Sequence, residues 1–120
     1  MTLKECYAAL DGDYEGVIAR LRSEKMVQKF VLKFLNDKSF ELLETSMAGK
    51  NYEEAFRASH TIKGVCQNLS FTKLYESSCR LTDNLRTGYG EETDALVRQV
   101  EEDYKQTIAA IEELQAGIPA

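Results

Sequence analysis

The segment 52-YEEAFRASHTIKGVCQNLS-70 decides how the rest of this chain is read. No proline interrupts it, and its apolar residues recur at helical rather than alternating spacing. At about 100° per residue, Ala55, Ile62, Cys66 and Leu69 fall within one narrow arc, with Ala58 and Val65 at its edges. The spacing predicts an amphipathic helix, opened by Asn51 with Glu54 and running to about Ser70. On the same wheel His60, the one histidine of the chain, lies roughly 140° from the centre of the apolar arc. It points to water. Glu53, Arg57, Gly64 and Gln67 share its side, and Phe56 and Lys63 stand at the flank.

Working outward, the same periodicity recurs on both sides. Thr2 and Glu5 can form a capping box for a first helix that ends at Gly12, and Asp13 can cap a short second helix ending near Leu21. Ser23 caps "EKMVQKFVLKFLN", whose Met26, Val27, Phe30, Val31, Phe34 and Leu35 form a wide apolar stripe. Asp37 is expected to cap a helix carrying Phe40, Leu43 and Met47, closed by Gly49. Thr72 opens a helix with Leu74, Ser78, Leu81 and Leu85 on one face. Gly88 and Gly90 break the chain before a last helix from about Glu91 to Ala116, with Leu96, Val97, Val100, Tyr104, Ile108, Ile111 and Leu114 inward. Short connections between amphipathic helices imply antiparallel neighbours. The expected fold is all-α: an antiparallel four-helix bundle with additional short N-terminal helices and core faces that are nearly all apolar.

Composition narrows the function. A length of 120 residues fits one domain spanning 1–120, large enough to bury its own core. The net charge of −5 disfavours nucleic acid and anionic membrane as partners. No apolar run approaches the roughly 20 residues of a membrane span, and "MTLKECYAAL" has no signal-peptide core. Cys6, Cys66 and Cys79 are widely spaced and form no CxxC pair. Reduced thiols in a self-sufficient cytoplasmic monomer are expected. Cys66 lies on the core arc, opposite His60, so the two are not expected to share a metal.

An isolated surface histidine is by default idle, but the neighbours of His60 argue otherwise. Gly64 costs about 1 kcal/mol against alanine inside a helix, so it calls for a reason. One turn from His60, it leaves the imidazole uncovered. Lys63 can bring an ammonium to anything bound to the ring. Phe56 suits either docking or packing against an adjoining helix. A neutral imidazole, with an ordinary pKa of about 6.5, is a competent nucleophile, and an ammonium offsets phosphoryl charge. The chain carries no GxxxxGK[ST] or GxGxxG loop to bind a nucleotide. The constellation suits receipt and passage of a phosphoryl group, not its removal from ATP.

"SHTIKGVCQNLSFTKL" resembles the histidine-containing phosphotransfer (HPt) domain of multistep two-component phosphorelays. The family pattern, His-x-x-Lys-Gly followed by small residues, a Leu and a small turn residue, is met by His60, Lys63, Gly64, Leu69 and Ser70. The likeness extends to "YEEAFRAS", to "LYESSCRLTDNL" and to the N-terminal "MTLKECYAALDGDYEGVIARL". It implies that His60 is the phosphoacceptor, that Lys63 offsets phosphate charge and that Gly64 gives clearance. Two positions depart: Ser70 stands where Gly is frequent, and Thr82 where a Gln or Glu often orients the ring. Thr82 or Gln67 is the candidate for that supporting role, and Phe56 and Arg57 are the candidate partner contacts. The resemblance further implies receiver domains of response regulators or hybrid histidine kinases as partners. It implies no cofactor bound by this chain, with Mg²⁺ on the receiver. The competing readings are a protein-binding bundle with an idle histidine, and a ligand-binding bundle, which would need polar groups aimed into its core.

Overall fold

Four helix starts are fixed by side chains acting within their own first turn. The computed structural model describes residues 1–119. In it Thr2 and Glu5 form a reciprocal capping box on α1 (Leu3–Ala9), and Asp13 accepts from Gly16 N at the start of α2 (Tyr14–Leu21). Ser23 caps α3 (Glu24–Lys33), which runs on into a 3₁₀ turn, Phe34–Asn36. Asn51 caps α5 (Tyr52–Leu69) by accepting from Glu54 N at 3.2 Å. The other helices are α4 (Ser39–Ala48), α6 (Thr72–Leu85) and α7 (Thr93–Ala116).

Helices α4 to α7 form an antiparallel four-helix bundle in which α5 lies between α4 and α6, and α6 also packs on α7. The ring of Phe40 on α4 stacks on Tyr104 of α7, with centroids 4.0 Å apart and planes at 8°, and closes the circuit. The short N-terminal helices cover one end. There Phe71, fully buried between α5 and α6, meets Tyr7 of α1 at a tilt, 5.7 Å away, and Phe34 edge-on at 5.3 Å. Burying rings of this size stabilises by about 2–3 kcal/mol each, and the aromatic contacts add to that.

The same end holds the C-terminus of α5 in place. Its last residues leave carbonyls without helical partners. Arg20 of α2 donates to Gln67 O at 3.1 Å, Asn68 O at 2.6 Å and Ser70 Oγ at 3.1 Å, and the Tyr7 hydroxyl donates to Leu69 O at 2.7 Å. Ser70 turns the chain in the left-handed region, φ 57° and ψ 39°, where a glycine would sit without strain. A direct bond from Asp13 N to Ser70 O at 2.8 Å ties the α1–α2 loop to this turn.

Three expectations need correction. Asp37 does not occupy the N-cap of α4; Lys38 does, with no side-chain bond. The 3₁₀ turn before it shifts the start, and Asp37 Oδ1 instead accepts from Ser39 N at 2.8 Å from one residue further out. The last helix begins at Thr93, whose hydroxyl accepts from Gly90 N and donates to Asn84, so the turn tightens before the helix can open at Glu91. The core faces are also less apolar than expected. Ser59, Ser77, Ser78, Thr82, Asp103 and Thr107 are buried, and on α7 Asp103 and Thr107 lie deeper than Tyr104 and Ile108. Most of these groups are satisfied locally: Ser77 by Leu74 O, Thr107 by Asp103 O and Asp103 by Gln99. A hydroxyl that returns to its own helix leaves its carbon face to pack, so these residues pass as core despite their polarity.

Candidate functional site

Helix α5 presents its apolar arc inward as the spacing requires. Ala55, Ala58, Ile62, Cys66 and Leu69 are buried, and Val65 is half-buried. Glu53, Arg57, His60, Gly64 and Gln67 are exposed on the opposite side. The imidazole therefore stands on the solvent face in mid-helix, about two and a half turns from Asn51 and nearly three from Ser70.

Its surroundings are open. A Cβ placed on Gly64 would meet nothing within 4 Å, so this glycine is not there to admit a neighbouring helix. Lys63 is half-buried, and among the described residues its ammonium has no carboxylate partner. Arg57 differs: it is held by Glu53 at 2.8 Å and by Glu54 within its own helix, so its charge is largely spent. These pairs are solvent-exposed and cheap to break, which leaves Arg57 free to exchange partners.

The ring itself rests on Phe56, one turn earlier. The two planes are 11° from parallel with centroids 6.1 Å apart, an offset stack. Phe56 is half-buried against the core, and the Arg86 guanidinium from the end of α6 lies over its ring, 5.3 Å from the centroid. Of the two uses expected of Phe56, packing on the flank is the one the fold realises, and part of the ring remains at the surface.

Neither residue considered for orienting the imidazole does so. Thr82 is fully buried beneath α5; its hydroxyl pairs with Ser59 Oγ at 2.7 Å and donates to Ser78 O at 2.7 Å. A threonine is too short to leave that position for the surface. Gln67 is exposed, contributes its backbone carbonyl to Arg20, and makes no side-chain hydrogen bond among the described residues.

The thiols stand apart from this face. Cys6 and Cys66 are fully buried. Cys79 is half-buried. Among the described residues no group of three or more His, Cys, Asp or Glu side chains is placed to hold a metal ion. Among the described residues no helix is long and apolar enough to cross a membrane.

A family model described as the Hpt domain matches residues 27–116, three-quarters of the chain. The chain belongs to the Hpt domain family. The matched span takes in most of α3 and the whole of α4 to α7, so it contains the solvent-facing His60. It does not reach α1 and α2, over which the sequence likeness had also been drawn. Neither a curated protein nor a solved structure is matched by the chain. Hpt domains are helical bundles that carry phosphoryl groups on histidine, interact with receiver domains and in general have no kinase activity.

Two side chains that shape this Hpt domain were not legible beforehand. Arg86 reaches Phe56 from α6, and Arg20 reaches the end of α5 from α2. Both act across tens of residues, and no local spacing announces them.

Proposed function

We propose that this protein is a phosphorelay intermediate that takes a phosphoryl group from a receiver-domain aspartate onto His60 and passes it to the aspartate of another receiver. The observation that carries the reading is the uncovered imidazole: it is exposed in mid-helix, with empty space above Gly64 one turn away. An in-line donor can reach it without any element of the bundle moving.

The transfer uses few groups, as phosphoryl chemistry generally does. The lone pair of the unprotonated ring nitrogen forms a bond to phosphorus as the bond from phosphorus to the donor's carboxylate oxygen breaks. The aspartate leaves as a carboxylate, and the ring keeps the proton on its other nitrogen. Lys63, without a carboxylate partner, supplies an ammonium beside the phosphoryl oxygens, where charge is concentrated in the transition state. Gly64 leaves room for the approaching receiver. Arg57 and the exposed part of Phe56 contribute to docking. The divalent cation is assigned to the receiver's acidic site, and the return step to a second receiver is the same displacement reversed.

Incubation with a phosphorylated receiver and Mg²⁺ should label this protein on His60 alone. The bond should be acid-labile and alkali-stable, as a phosphoramidate is, and ATP without a kinase should label nothing. Acid-stable phosphate, or labelling that persists in His60→Gln, would overturn the assignment.

A further inference from the structure

We infer that Phe56 is a positioning residue for the phosphoacceptor: its ring holds the His60 imidazole in one orientation, and Arg86 braces Phe56 from the neighbouring helix. The inference rests on the phosphorelay reading for its functional part.

A surface imidazole on a helix has two free torsions, and its reactive nitrogen faces a partner only in some rotamers. Something must narrow them if transfer is to be efficient, because orientation at the reacting centre carries much of the barrier. The buried Thr82 cannot do it, since its hydroxyl is shared between Ser59 and Ser78 O. Gln67 makes no side-chain hydrogen bond among the described residues. The contact that remains is the near-parallel stack on Phe56, at 6.1 Å and 11°. Spacing of four residues on a helix brings two such rings together without strain.

Phe56 is suited to act as a support because it is itself held. Its stem packs against the core, and the Arg86 guanidinium covers its ring at 5.3 Å. Among the described residues the side chain of Arg86 is otherwise engaged only by Asp83, at 3.6 Å on an exposed surface. The arrangement runs from α6 to α5 as guanidinium, phenyl and imidazole. Orientation is thereby set by ring contact and not by a hydrogen bond, which leaves both nitrogens of the imidazole unencumbered.

The single histidine makes the test direct, because its ring gives one set of NMR signals. In the unphosphorylated wild type, cross-relaxation between Phe56 and His60 ring protons is expected, and the His60 side-chain couplings should report one dominant rotamer. Phe56→Leu keeps apolar packing and removes the stack. It should average those couplings and slow transfer from a phosphorylated receiver by about three- to tenfold, the population ratio such a stack sustains. Receiver affinity should change less than the transfer rate. Phe56→Tyr should restore both the couplings and the rate, and Arg86→Gln should give a smaller version of the Leu effect. If the His60 couplings are the same in Phe56→Leu as in wild type, the positioning role is wrong, whatever the labelling shows. If the stack is present but His60 is never phosphorylated, the phosphorelay reading fails and the positioning role fails with it, though the stack itself stands. Equal loss of affinity and rate, without rescue by Tyr, would make Phe56 a docking residue only.

Discussion

Gly12 and Gly64 are the same residue in opposite situations. A methyl group on Gly12 would lie 2.8 Å from Ser70 O, and as close to the rings and side chains of Tyr7 and Leu10. Ser70 O is backbone and is fixed by its bond to Asp13 N, so it cannot retreat. Gly12→Ala should cost about 1–3 kcal/mol by overpacking. A methyl group on Gly64 meets open space, and removing glycine from a helix interior recovers about 0.5–1 kcal/mol. Gly64→Gln should therefore leave thermal stability unchanged or raised, yet sharply reduce transfer by covering the imidazole one turn away. Thermal unfolding and transfer rate on the same preparation decide both substitutions. Lys63→Ala should slow transfer more than it weakens receiver binding, because its charge acts at the reacting centre while docking spreads over a wider surface. Proportional losses would make Lys63 an ordinary contact. The Gly64 position was readable from a helical wheel, since one turn of spacing fixes its relation to His60. The need for glycine at position 12 was not, because the atom it must clear lies on a turn 58 residues away.

At the scale of elements, what was legible is what is local. Thr2, Asp13, Ser23 and Asn51 each cap a helix through a bond three residues long, and each was visible as a pattern. Asp37 was misplaced because a 3₁₀ turn, selected by packing, moved the helix start past it. The end of α5 depends on Arg20, for which the sequence gives no sign. Its guanidinium satisfies two carbonyls and the Ser70 hydroxyl, and it places a positive charge at the negative end of the helix dipole. Arg20→Ala should cost about 1 kcal/mol, lowering Tm by roughly 3–6 °C for a chain of this size. Arg20→Lys should recover part of this, since all three contacts are made by one guanidinium nitrogen, which an ammonium on a shorter stem replaces incompletely. The site lies nearly three turns away, so labelling of His60 at low temperature should survive in both. If stability is unchanged in Arg20→Ala, water caps α5 as well as the guanidinium does.

The whole molecule is a bundle closed at one end by aromatic rings and lined partly by groups that prefer to keep their protons. The thiols of Cys6 and Cys66 and the hydroxyl of Tyr7 are all buried, and the sequence showed only that Cys66 would face inward. Burial, helped by the Glu113 carboxylate, pushes the Cys6 thiol up from 9.0 to about 11. Burial likewise raises Cys66, with Asp37 adding, and raises Tyr7. The consequence for stability has a definite sign. As pH passes about 9, the unfolded chain loses thiol protons while the folded chain keeps them. The unfolded state then binds fewer protons, so stability falls as pH rises, by up to about 1.4 kcal/mol per pH unit for each such group. For Cys6 the loss begins near its unperturbed value and levels off near 11, and Tyr7 joins about a unit later, where tyrosine normally ionises. Stability should thus be flat in these groups at neutral pH and decline steeply above about pH 9. Urea midpoints measured under reducing conditions from pH 7 to 11 would show it. Cys6→Ala and Cys66→Ala should each begin from a lower plateau, since a small cavity is left. Each should also flatten the alkaline limb by about one proton. An alkaline slope that is the same in wild type and in both variants would mean that the thiols ionise as readily in the fold as out of it.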